Sequence, residues 1–383
     1  MPRYVDGFVL PMPKKNVRSY LGMARLGAKV WRDHGALEYR ECVGDDLKVK
    51  MGLPFPKLAK VKPGEWVLGD GWDEGKLAIF LGIGYPHPSY SHFRSMDIWH
   101  TCEPDKVGID GWLGRVLKEF DPNADNVLTG VNYGRGLPRA LAKEGVPVAS
   151  VGNLDTYGLL TGIDGQDQRT QALDVFSRMY SPTVGRGYAI DYIRRTGTDA
   201  LKGADILSTA PSKYTSKVTY NNTAVGQYMK NIAQTHLAGF GTRVLYTTSP
   251  YNSFDTHASQ IAAHDKLWTD VSTTVDTFYT DLRDHQASDN VLLFMFSEFG
   301  RRISDNGSGT DHGAAGVAFA VGEHVKGGLY GEYPSLEPSK QEEGGNLKFN
   351  MDFRSVYATI LEDWMGLNPT PIIGGSFEKV RFL

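Results

Sequence analysis

Between Asp255 and His312 the sequence gathers carboxylates and imidazoles into three short segments. The first, Phe254-Asp255-Thr256-His257, follows an apolar run at Arg243 to Thr247 and opens a helical pattern near Ala258. The loop leaving a strand's carboxy end is where an α/β sheet collects its ligands. Asp255 and His257 fall there, and His264 comes back to the same side two helical turns after His257 if the helix is unbroken. The bland alternative makes Asp255 or Thr256 a helix cap and leaves the histidines as partly exposed polar residues. The second segment, Ser297-Glu298-Phe299-Gly300-Arg301-Arg302, follows the apolar run Val291 to Phe296. Its carboxylate can act as a metal ligand or a plain ion-pair partner, and a guanidinium such as Arg301 suits bidentate capture of phosphate or sulfate. The third, Asp305-Asn306-Gly307-Ser308-Gly309-Thr310-Asp311-His312-Gly313, sets an Asp-His pair among glycines that let the backbone come close to an ion. Asp255, His257, His264, Glu298, Asp311 and His312 are the expected metal ligands. Such a mixture suits Zn²⁺ or Mn²⁺, with Mg²⁺ or Ca²⁺ an option where oxygens dominate.

A nucleophile is expected at Ser91, in Tyr85-Pro86-His87-Pro88-Ser89-Tyr90-Ser91-His92-Phe93. That position opens a helical pattern, where free N–H groups and the helix dipole stabilise developing negative charge. An ordinary N-cap serine is the alternative, and His92 is a candidate partner for it. Asp352-Phe353-Arg354 reads as a cap and local ion pair at the last helix.

These residues need a scaffold, and from Trp72 onward apolar runs alternate with longer helical patterns. That rhythm implies a layered α/β domain with a mostly parallel sheet. Strands are expected at 77–81, 127–131, 148–151, 243–247, 291–296 and 317–321. Helices are expected at 91–100, 111–120, 168–179, 226–237, 258–283 and 354–365. Before this, Tyr4 to Leu10, Asn16 to His34 and Glu38 to Val43 read as strand, helix and strand, too little to bury a core alone.

The charge balance of 41 basic against 44 acidic residues, formally −3, offers no footprint for nucleic acid or an anionic membrane. No apolar run approaches the roughly 18 residues a membrane span needs. The first twenty residues lack the apolar core of a secretory signal, so a cytoplasmic location is expected for the chain as written. With Cys42 and Cys102 far apart, a disulfide framework is not expected.

Taken together, Gly75-Lys76-Leu77-Ala78, Ser91-His92-Phe93, Gly111-Trp112-Leu113-Gly114-Arg115, Phe254 to His257 with Gln260 and His264, Ser297 to Arg301, Thr310 to Gly313 and Lys326-Gly327-Gly328 resemble the family called domain of unknown function 1501. The resemblance runs over about 72–383 and implies an alkaline phosphatase- and sulfatase-like α/β/α domain. It further implies metal ligands at strand ends, a nucleophile at a helix start and a small anionic phosphate or sulfate ester as substrate. By this analogy Asp255, His257, Glu298, Asp311 and His312 are metal-site residues, Ser91 is the nucleophile, and Arg301 clamps the anion. Relatives of this kind are usually exported and begin with a strand ending in a Gly-Gly-Asn/Ala-Asp-Gly type motif that this chain lacks. Asp6, Asp45, Asp46 and Asp70 are the available substitutes for its carboxylate. Residues 1–65 instead resemble domain of unknown function 1428, a ferredoxin-like αβ fold here cut short. The expected organisation is therefore a partial segment at 1–65 followed by a hydrolase-type domain at 66–383. The alternatives are a metal- or anion-binding protein without turnover, and a fusion whose first segment drives homodimerisation.

Overall fold

The computed structural model describes residues 74–154, 157, 163, 165–180, 187–249 and 253–383. All lie in the second of two units into which the chain divides, Trp66–Leu383. The expected segment at 1–65, with Asp6, Asp45 and Asp46, lies outside the described residues, as does Asp70.

In chain order the strands are β1 (Leu77–Gly84), β2 (Gly130–Tyr133), β3 (Ala149–Val151), β4 (Val244–Thr247), β5 (Leu293–Met295), β6 (Arg301–Asp305), β7 (Thr310–His312), β8 (Gly316–Val321), β9 (Gly328–Tyr330) and β10 (Met351–Asp352). The helices are α1 (His92–Thr101), α2 (Trp112–Phe120), α3 (Gln166–Tyr180), α4 (Tyr188–Leu207), α5 (Ala224–Leu237), α6 (Gln260–Asp284), α7 (Phe353–Thr359) and α8 (Pro369–Ile373), with a π-helical turn at Ile360–Trp364 after α7. The protein is mixed α/β. One sheet, in the order β3-β2-β4, is parallel throughout, as the alternating pattern implies. The larger sheet departs from that expectation. In the order β10-β1-β8-β5, with β9 also on β1, it is mixed, because β8 runs antiparallel to both β1 and β5.

β1 carries an almost unbroken apolar run because both of its faces are covered. Ala78 and Phe80 face a core with Trp99, Val116, Phe353 and Tyr357, while Leu77 and Ile79 face another with Ile232 and Phe278. The β1–β8 register shifts between Leu81 and Ile83, and Gly82 takes up the extra residue at φ +62°, a conformation costly for a side chain. Arg115, in a segment that carried the family resemblance, has a structural job here. Its guanidinium donates to the carbonyls of Thr101, Asp110 and Ile372 and ties α2 to α1 and α8.

Asp352 caps α7 as expected, accepting from the Arg354 backbone N–H and pairing with its guanidinium at 2.6 Å. Cys102 is buried and free. Among the described residues no helix is long and apolar enough to cross a membrane.

Candidate metal centre

Three loops bring the site together. Trp99 of α1 stacks between Phe296 and Phe353, with centroids at 4.7 and 4.4 Å, and its indole N–H donates to the Glu298 carbonyl at 3.0 Å. That contact fixes the loop after β5 against α1, the helix that His92 opens. The Gly-rich segment 305–313 is the turn and second strand of the β6–β7 hairpin, in which Arg301 pairs with His312 and Asp305 with Thr310. Its glycines serve packing of chain on chain. A Cβ at Gly309 would fall 2.4 Å from the His257 carbonyl carbon, and one at Gly313 2.5 Å from that of Arg301. Only glycine lets the hairpin lie this close to the loop after β4.

At the centre is the Asp255 carboxylate, ringed by three imidazoles. His92 Nε2 lies 3.2 Å from Oδ2, while His257 Nε2 and His312 Nε2 lie 3.0 and 3.1 Å from Oδ1. The other nitrogen of each ring is held by an oxygen. His92 Nδ1 meets Glu298 Oε1 at 2.6 Å, His257 Nδ1 meets Asp311 Oδ1 at 3.2 Å, and His312 Nδ1 meets the Tyr90 carbonyl at 2.8 Å. An oxygen acceptor behind Nδ1 fixes a ring's tautomer and turns its Nε2 lone pair inward, as in metal sites where a carboxylate or carbonyl orients a ligating histidine.

Arg301 completes the ring. Nη1 donates to Asp255 Oδ1 at 2.7 Å, Nε to Thr310 Oγ1 at 3.1 Å, and Nη2 to the Thr310 carbonyl. Burial pushes the Asp255 carboxyl upward, but the Arg301 guanidinium and the surrounding imidazoles outweigh it and bring the group down to about 2. Asp311 is also held below the usual carboxylate range, by bonds from Asn306 and His257.

One atom in the ring lacks a partner. His92 Nε2 is buried yet makes no hydrogen bond, although Asp255 Oδ2 lies 3.2 Å away. An unpartnered buried nitrogen costs about 1–3 kcal/mol, which a bound cation would recover. One ligand atom each from His92, Asp255 and His312 lie within 4.8 Å of one another. The His257 and His312 Nε2 atoms are 3.0 Å apart, close to the ~3.3 Å expected of two nitrogens on one tetrahedral Zn²⁺. The donor set fits a divalent ion.

The sequence candidates thus divide. Asp255, His257 and His312 converge. Glu298 and Asp311 stand behind imidazoles, and each of Arg301's nitrogens is engaged within the protein, one of them on Asp255. His264 does not join. The expected helix from Ala258 starts only at Gln260, after Ser259 in a left-handed conformation, so His257 and His264 do not share a helical face. His264 Nε2 instead meets Thr256 Oγ1 at 2.9 Å, and its ring packs edge-on to Phe254. Ser91 precedes α1, is exposed and makes no side-chain capping bond, and it lines the same cavity as His92, Asp255 and Glu298. The residue whose weight sequence reasoning missed is His92. Its neighbour Ser91 marks the segment as a helix start, but nothing in the spacing aims this ring at Asp255.

Residues 107–376 match the family model described as Protein of unknown function (DUF1501), and residues 3–70 match the one described as Protein of unknown function (DUF1428). No curated protein and no solved structure matches the chain.

Proposed function

The chain belongs to the DUF1501 family, and on that premise we propose that it is a metal-dependent hydrolase of phosphate or sulfate esters with an alkaline phosphatase-like layered domain. The observation that carries the reading is the inward turn of three imidazole Nε2 atoms around Asp255, each ring held from behind by an oxygen. His92, Asp255 and His312 would hold the ion, with His257 beside them, and this nitrogen-rich set favours Zn²⁺ or Mn²⁺ over Mg²⁺ or Ca²⁺. The ion, when bound, supplies Lewis-acid stabilisation of charge on the ester's oxygens.

The protein's own residues have distinct tasks in this reading. Glu298 and the Tyr90 carbonyl keep His92 and His312 in the tautomer that offers Nε2. Arg301 keeps Asp255 ionised and aimed inward, a positioning role in place of the direct anion clamp that the family analogy suggests. Ser91 Oγ, free of capping duty at the amino end of α1, is the group available to attack phosphorus or sulfur. The substrate is a small ester whose anionic head enters the cavity lined by Ser91, His92 and Glu298.

The test is elemental analysis of the purified protein, followed by turnover of aryl phosphates and aryl sulfates with and without a chelator. Chelator-sensitive turnover supports the reading. Absence of metal in wild type and Asp255→Ala alike overturns it, and stoichiometric metal without turnover of either ester removes the hydrolase while keeping the metal centre.

A further inference from the structure

Gln260 belongs to a segment that carries the family resemblance, and it opens α6 just past the loop that holds Asp255 and His257. Its backbone and its side chain both reach across to the β6–β7 hairpin. The Gln260 N–H donates to the Ser308 carbonyl at 3.1 Å. The amide faces the Thr310 hydroxyl, with Nε2 at 2.9 Å and Oε1 at 3.2 Å from Oγ1. Thr310 in turn grips one edge of the Arg301 guanidinium with two oxygens. Its Oγ1 accepts from Nε at 3.1 Å, and its carbonyl accepts from Nη2. A guanidinium is planar and rigid, so holding Nε and Nη2 sets the direction of Nη1. That third nitrogen donates to Asp255 Oδ1 at 2.7 Å. A hydroxyl has one proton and two lone pairs. Because the Arg301 Nε–H takes a lone pair of Thr310 Oγ1, the hydroxyl proton must turn elsewhere, and Gln260 Oε1 is in place to accept it.

We propose that Gln260 and Thr310 are positioning residues of the candidate centre: they lock the Arg301 guanidinium so that its charge stays on Asp255 and that carboxylate stays aimed at the imidazoles. Their effect on metal binding rests on the proposed centre, whereas their hold on Arg301 does not. The connection closes on itself, from Asp255 through Arg301 and Thr310 to Gln260 and back along the chain, so it also fixes the loop after β4 against the hairpin. Hydrogen bonds that involve a charged partner are stronger than neutral ones, so those made by Arg301 carry most of the hold. Loss of a partner that orients a ligand costs a metal site about 10–100-fold in affinity. Thr310→Val removes the hydroxyl and keeps the branched shape, whereas Thr310→Ser keeps the hydroxyl.

The experiment uses the full-length protein in two arms. In the first, with no metal added, hydrogen exchange of the Arg301 Nε–H is followed by NMR on protein carrying isotope-labelled arginine, the resonance being assigned by its loss in Arg301→Lys. Exchange is expected to quicken at least about tenfold in Thr310→Val and in Gln260→Ala, and to stay within about threefold of wild type in Thr310→Ser. In the second arm, Zn²⁺ affinity is read by competition with a chromophoric chelator. Thr310→Val is expected to lose at least about tenfold and Gln260→Ala at least about fivefold. The double variant is expected to lose no more than about threefold beyond Thr310→Val, because Gln260 acts through that hydroxyl. Gln260→Ala, which leaves the guanidinium's own contacts in place, answers the question should Thr310→Val fail to fold. Exchange within about threefold of wild type in Gln260→Ala or in folded Thr310→Val overturns the proposal. An equal loss in Thr310→Ser overturns it too, by reducing the role to packing, and so do additive losses in the double variant. Wild-type protein that takes up no Zn²⁺ removes the metal-centre reading instead, and the exchange arm then decides the hold on Arg301 by itself.

Discussion

Asp255→Asn is the sharpest perturbation of the proposed metal centre, because it keeps the side chain's shape and removes the charge that four groups face. The carboxyl is brought from 3.8 to about 2 in the folded protein. At 1.36 kcal/mol per unit this corresponds to roughly 2.4 kcal/mol of favourable interaction with the ionised form, and partial exposure to solvent reduces it to ~1–2 kcal/mol. This stability is present above the unfolded pKa of 3.8 and is lost as pH falls through about 2. At neutral pH the variant without metal should therefore be destabilised by ~1–2 kcal/mol and still fold. Metal affinity should fall much further. Loss of a group that only orients a ligand costs about 10–100-fold, so loss of a ligand itself should cost at least ~100-fold, or ~2.7 kcal/mol. The assay is competition with a chromophoric chelator for Zn²⁺ and Mn²⁺ at neutral pH, with urea unfolding in parallel and His264→Ala as the control outside the ring. Retention of affinity within about threefold in the asparagine variant, or an equal loss in the control, would refute the reasoning.

Other expectations are open to measurement. Glu298→Gln should weaken metal binding by about 10–100-fold through loss of the charge behind His92, read by the same chelator competition. Ser91→Ala should abolish ester turnover while metal affinity changes by less than about threefold, since the hydroxyl lies outside the ligand ring. Gly313→Ala should cost ~1–3 kcal/mol in urea unfolding and also reduce metal affinity, because its methyl would collide with the Arg301 backbone. Burial, with Arg139 nearby, brings His100 down to about 4 from 6.5, so the unfolded chain binds the extra proton between those values and stability falls as the pH is lowered through that window. His100→Gln should flatten this slope while still offering Tyr246 a hydrogen-bond partner, as seen in urea unfolding at stepped pH.

Local pattern already contained most of the elements. The apolar runs that became β1, β4, β5 and β8 were legible because strands covered on both faces need little else, and the longer periodic stretches α2, α5 and α6 because one side of each meets a core. The three segments that carry the site's carboxylates could be placed for the same reason, since each leaves or follows such a run. The helix α4 at Tyr188–Leu207 is not legible in the local pattern, because Gly197 and Gly203 lie inside it and polar residues are spread around it. Strands β6, β7, β9 and β10 are short, and their pairings join distant or turn-rich segments that no local period reveals.

What the sequence by itself determined is the α/β class, the residue types able to bind a cation and the loops that carry them. Tertiary structure alone decided which atoms meet: that His92 enters the ring, that His264 turns to Thr256, and that Glu298 and Asp311 stand behind imidazoles. The physical reason is that side-chain direction at a site depends on how separate segments pack, and the contacts that set it here join residues far apart in the chain. Trp99 holding the Glu298 loop and Gly309 admitting the His257 backbone are such contacts, and no spacing along the sequence encodes them.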